Sequence, residues 1–104
     1  MGRYLVLWHM NPMAPRSANP EEALKLNEMM WAAEDGLVRQ GIVKEFGYFA
    51  DGSSGYAIGE GEAADAFRSA NMFMPYVAFE VHEVISYEKG KEIIRAVCKA
   101  ATQR

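Results

Sequence analysis

The feature that most constrains this chain is the helix announced at Asn19. The Asn19 side chain can accept from a free backbone amide, Pro20 suits the first helical position, and Glu22 stands three residues after the cap in a capping-box arrangement. Glu21 and Glu22 also favour the positive end of the helix dipole. From there Ala23, Leu26, Met30, Ala33 and Leu37 recur at spacings of three and four, giving one apolar face, and Gly41 is placed to stop the helix. A second stripe, Leu24, Trp31 and Val38, repeats every seven residues. At ~100° per residue it lies roughly 120° from the centre of the first. One sheet does not need so wide an apolar arc. The stripe fits either a deep groove in the same subunit or contact with another chain.

On either side of this helix the pattern changes to that of strands. Arg3 to His9 is a short run of aromatic and β-branched residues, and Met10 to Ala18, with Pro12 and Pro15, cannot be regular structure. Ile42 to Ala50 and Ser54 to Gly61 read as two strands around an Asp51-Gly52 turn. Glu62 to Ala70 reads as a short helix, broken by Met72 to Pro75, and Tyr76 to Ile85 as the last strand. Ser86 then caps a final helix in which Ile93, Ile94, Val97 and Ala101 share a face. The order predicts an α+β, ferredoxin-like β-α-β-β-α-β antiparallel sheet with both main helices on one face. Residues 1–104 read as a single domain, with 87–104 as a C-terminal helical extension. The other sheet face is expected to be bare, and a second copy of the chain under two-fold symmetry is the simplest cover.

Composition excludes several function classes. A formal charge of −3 supplies no basic field for phosphate backbones, so no nucleic acid is expected as a partner. The single cysteine, Cys98, rules out an internal disulfide framework and fits a reducing cytoplasm, read here as a packed or idle thiol. The apolar run after Met1 is too short for a signal peptide, and no stretch approaches the ~20 apolar residues of a membrane span. A soluble, cytoplasmic protein is expected. No metal-ligand spacing, phosphate loop, dinucleotide fingerprint or nucleophile elbow is present, so neither a metal nor a cofactor is expected.

The last strand carries the most chemistry. Val77, Phe79 and Val81 are uniformly apolar and should face the helices; Tyr76, Ala78, Glu80 and His82 would then face the open side. Glu80 and His82 are two residues apart, so the carboxylate can hold the imidazole in one tautomer and support proton transfer. A solvated outer face is the alternative reading of the same pattern. On the first strand, Trp8 can either line a ligand pocket or dimer core on the open side or pack in the core. Glu60 closes the third strand beside the small residues Ala57 and Gly59, where another group can approach the backbone.

The segment Pro75-Tyr76-Val77-Ala78-Phe79-Glu80-Val81 resembles the Pro-Tyr-x-x-Ile-Glu-Val stretch of muconolactone isomerases, with Ala78 where those enzymes carry an aspartate. A second likeness runs from Asp51-Gly52-Ser53-Ser54-Gly55-Tyr56 through Glu60 to Phe79-Glu80-Val81, with Trp8 also in a familiar place. It is similar to an uncharacterised group of small domains in the same superfamily, the dimeric α+β barrels. The resemblance implies sheets paired face to face around a ligand-binding cavity and, for the isomerases, proton movement on a small lactone without a cofactor. The first functional expectation is therefore a cofactor-free small-molecule isomerase using His82 or Glu80, with Trp8, Tyr56, Tyr76 and Glu60 as ligand-binding residues. Two alternatives stand beside it: a non-catalytic binding or assembly module, and a cofactor-independent monooxygenase-like domain.

Overall fold

The computed structural model describes residues 2–14 and 19–102. Part of the irregular Met10–Ala18 connection and the last two residues of the C-terminal extension fall outside them. The elements are β1 (Gly2–Met10), α1 (Pro20–Arg39), β2 (Val43–Tyr48), β3 (Ser54–Gly61), α2 (Ala63–Asn71), β4 (Val77–Val84) and α3 (Tyr87–Thr102). Local signals set their ends. The Asn19 side chain accepts from the Glu21 amide at 2.9 Å, Gly41 reverses the chain after α1 at φ +79°, and the Ser86 hydroxyl accepts from the Lys89 amide at 3.0 Å. In the β2–β3 turn Gly52 takes φ +101°, and the Ser54 hydroxyl donates to the Asp51 carboxylate at 3.2 Å.

The four strands form one antiparallel sheet in the order β2-β3-β1-β4, covered on one face by α1 and α2. This α+β arrangement of three helices and one sheet is consistent with a ferredoxin-like fold. Among the described residues no helix is long and apolar enough to cross a membrane.

The helix-covered face holds the core. Leu37, Val43, Ala57 and Phe73 are buried together, with Val6, Met30, Ala33, Ile42, Phe46, Val77 and Phe79 packed around them. The first apolar stripe of α1 thus faces inward as its spacing predicts. Trp8 shares this side at 6% exposure, stacked on Phe46 with ring centroids 5.6 Å apart. Core packing, and not the open face, is its place. Val81 lies on the same side but stays 40% exposed, beside an apolar groove between α2 and the edge strand β4.

A bulge in β2 decides which of its residues meet the core. Val43 pairs with Gly59 but Glu45 pairs with Ile58, so Lys44 is the extra residue. Without it Val43 and Glu45 would share a face. With it, Val43, Phe46 and Tyr48 turn inward while Glu45 turns to the open side.

Besides the open face of the sheet, two helical surfaces remain exposed among the described residues. Of the second stripe of α1, Leu24 and Val38 are 51% and 45% exposed, while Trp31, 43% exposed, reaches the Tyr48 hydroxyl at the sheet. Apart from Gly90 and Lys91, every described residue of α3 is exposed, including Ile93, Ile94 and Val97. The helix projects from the sheet: the chain measures 67 × 27 × 22 Å with a radius of gyration of 18.1 Å. A globule of this length would have a radius near about 13 Å.

Close packing of Trp8 rests on Gly55. A Cβ there would stand 2.1 Å from the Gly47 carbonyl oxygen and 2.5 Å from the Trp8 ring. Gly55→Ala is therefore expected to destabilise the fold by about 2–3 kcal/mol, read as a lower urea midpoint. Gly52→Ala, where a Cβ meets nothing within 4 Å and only the positive φ opposes it, should cost about 1 kcal/mol.

Candidate functional site

The open face of the sheet is built from every second residue of its strands. Pairing of Leu5 with Ile58 and His82, and of Leu7 with Tyr56 and Glu80, sets these side chains on one surface. Leu5, Leu7 and Ile58 form its apolar centre, partly exposed because no helix lies over them. A polar pair flanks the centre on each side. On β4, His82 Nε2 stands 3.2 Å from Glu80 Oε2, with both side chains more than half exposed. On β3 and β2, the Tyr56 hydroxyl donates to the Glu45 carboxylate. That hydrogen bond, with some burial and the Glu45 charge, pushes the Tyr56 phenol above its ordinary pKa, because ionisation would remove the donated proton.

The structure thus brings Glu80 and His82 together and sets Tyr56 across Leu7 from Glu80. The other expected residues lie elsewhere. Glu60 is opposite Arg3, four residues along β3 from Tyr56, or about 13 Å at the usual strand rise. Trp8 and Tyr56 cannot line one cavity, because the sheet itself separates them. Tyr76 precedes β4 in the turn after α2, where its carbonyl accepts from the Asn11 amide at 2.9 Å. It lines a groove against α1 with Met10, Ala23 and Asn27, so the turn has carried it off the face of Glu80. Among the described residues no three His, Cys, Asp or Glu side chains are grouped to hold a metal.

A second site lies on the helix side of the sheet. Between α1 and the strands a cavity of about 60 Å³ is walled by Trp8, Met30, Trp31, Phe46, Tyr48 and Phe79, with Asn27 and Glu34 as its polar members on the helix. Trp8 also meets Tyr48 edge-on at 5.4 Å, and the Trp31 indole N–H donates to the Tyr48 hydroxyl at 2.7 Å, joining α1 to β2. Glu34 is only 8% exposed. Burial, helped by the neighbouring Asp35 charge, pushes its carboxyl up to about 7, so near neutral pH it is poised between acid and base. Tyr48 is the titratable side chain that the sheet presents to this cavity. The sequence did hold a signal for this site. Asn27 and Glu34 are seven residues apart and fall between the two apolar stripes of α1, the one polar interruption in a wide apolar arc.

A carboxyl that folding raises from its ordinary value to about 7 makes stability depend on pH in a defined direction. Above the unfolded value the native state keeps a proton that the unfolded chain releases, so stability falls between about pH 4.5 and pH 7 and then levels. Glu34→Gln should remove that slope and raise stability at pH 8 by up to about 3 kcal/mol, while changing little at pH 4. Denaturant titrations at the two pH values check it; equal gains at both would mean that Glu34 is not the titrating group. Compared with known proteins, the chain matches no family model and no curated protein.

Proposed function

We propose that this chain is a self-pairing α+β domain of the dimeric α+β barrel kind, one that joins two sheets face to face and binds a small organic molecule. The observation that carries the reading is the composition of the open face. An apolar centre of Leu5, Leu7 and Ile58 bordered by the Glu45–Tyr56 and Glu80–His82 pairs has the anatomy of an interface core with a polar rim. Surface area supports the same reading. The chain exposes 7687 Å², against about 5,800 Å² for a self-contained globule of its mass. The difference exceeds the ~800 Å² that each partner buries in a standard interface. The exposed stripes of α1 and α3 lie outside the sheet face and extend the area open to a partner.

The 3.2 Å contact between His82 and Glu80 favours a second reading, cofactor-free proton transfer at the rim of the paired sheets. A carboxylate that orients an imidazole leaves its other nitrogen free to take and return a proton, which is the step an isomerase of small unsaturated lactones needs. The non-catalytic module remains the plainer form of the proposal, and it needs only the apolar centre.

Light scattering after size exclusion tests the pairing. The chain should run at twice its mass, and Leu7→Lys, which sets a charge in the middle of the joined sheets, should run as a monomer with an unchanged circular dichroism spectrum. A monomeric parent chain, or a dimeric Leu7→Lys variant, overturns the sheet-to-sheet reading. For the second reading, Glu80→Gln and His82→Ala should each lower proton exchange on a small unsaturated lactone by about 100-fold. Exchange that survives both substitutions removes these residues from the chemistry.

A further inference from the structure

Two apolar features of the chain match each other in length and in charge. The first is the groove between α2 and the edge strand β4. Its volume is about 570 Å³, with Val81 on the strand side and Ala63, Ala66 and Ala70 along the helix. Those alanines recur at spacings of three and four, so α2 presents a small-residue wall that another backbone can approach closely. Phe67 and Met74 stand at its rim, 73% and 64% exposed, so the groove is open to an extended element and does not enclose a small ligand.

The second feature is α3. Ile93, Ile94, Val97 and Ala101 share one face, and Ile94 and Val97 are 66% and 63% exposed. From Ile93 to Ala101 this face rises about 12 Å, and α2 rises about the same from Ala63 to Asn71, the stretch that walls the groove. The charges are opposite. Residues 87–104 hold five basic and two acidic side chains, whereas residues 1–86 hold six and twelve. Tyr4 lines the groove, and burial followed by the charges of Glu83, Glu62 and Asp65 pushes its phenol above the ordinary pKa. A basic amphipathic helix suits an apolar groove with an acidic end, and the same acidic body opposes laying α3 on an anionic lipid surface. The chain's own α3 projects from the sheet and leaves the groove open.

We infer that the groove between α2 and β4 receives α3 from a second copy of this chain, so that two copies exchange their C-terminal helices. The inference rests on the face-to-face pairing of the sheets, which holds the chains together while each short helix docks. Two-fold symmetry makes the exchange reciprocal. Exposed area leaves room for it: the surplus of about 1,900 Å² over a self-contained globule is more than twice the ~800 Å² that each partner buries in a standard interface.

Cys98 is the one cysteine of the chain and is exposed on α3, so a nitroxide attached there marks this helix alone. Spin-labelled chain of natural isotope abundance is mixed with unlabelled ¹⁵N chain, so that any broadening passes between copies. The amide resonances of Phe67, Ala70 and Val81 should lose more than half of their intensity, while those of α1 keep theirs. Ile94→Lys, at a position exposed in the single chain, should restore the intensities with the mass still doubled in light scattering. A chain of twice its mass without groove broadening, or with broadening that survives Ile94→Lys, overturns the exchange and leaves the sheet pairing standing. A chain of single mass overturns both. Groove broadening within spin-labelled, monomeric Leu7→Lys would show that α3 folds into its own groove, which overturns the exchange as well. Binding to phosphatidylserine vesicles with the groove intensities unchanged would assign α3 to a membrane surface instead.

Discussion

An indole lying across a glycine is the contact on which the rest of this structure depends. Trp8 needs the backbone of β3 beneath it with no Cβ in the way, and Gly55 provides that space. With its ring flat against Phe46 and edge-on to Tyr48, Trp8 fixes how β1, β2 and β3 sit at the turn end of the sheet. Those same rings meet α1 through the hydrogen bond that Trp31 donates to Tyr48, and a gap stays open beside it. The gap they leave is the cavity in which Glu34 is buried. Packing among large rigid rings rarely closes completely, and here the residual space collects at Asn27 and Glu34, between the two apolar stripes of the helix.

Sheet geometry allows this only because β2 slips by one residue. The bulge at Lys44 lets Val43 enter the core and still brings Phe46 and Tyr48 to the Trp8 side, each one residue later than regular alternation would place an inward side chain. The same slip carries Glu45 to the opposite face, where it accepts from Tyr56. One extra residue thus serves both surfaces. It completes the aromatic wall on the helix side and supplies a rim carboxylate on the open side.

This accounts for what the sequence revealed and what it hid. Helix one was legible because its cap, its first-turn acids and its inward stripe agree, and the alternation of Val77 and Phe79 against Ala78, Glu80 and His82 placed β4 correctly. The stripe of Leu24, Trp31 and Val38 is visible as a surplus of apolar arc, but not its division: Trp31 reaches Tyr48 on the sheet, while Leu24 and Val38 stay exposed. Trp8 was ambiguous because Tyr4, Val6 and Trp8 are as apolar as Leu5 and Leu7, so either set can face a core. The bulge has no sequence marker at Lys44. Tyr76 continues the alternation of β4 in sequence, but the turn after α2 withdraws it from the strand. Glu34 carries no mark of its own, since a glutamate in a helix ordinarily reads as solvated; its position between two apolar stripes is the contrary signal.

The two candidate sites differ in what their polar groups cost the fold. Glu80 and His82 are exposed, meet each other, and would impose little penalty on a chain that never paired or never catalysed anything. Their presence is compatible with a rim, and it does not require a reaction. Glu34 is different in kind. Its carboxyl is held in a largely apolar cavity, its pKa is pushed up to about 7, and one oxygen has no partner among the described residues, although a leucine or glutamine would occupy the same helix position without that penalty. Local choices that oppose stability concentrate where a protein does something other than fold. By that measure the buried carboxyl, and not the visible Glu–His pair, is the feature of this chain that stability alone does not explain.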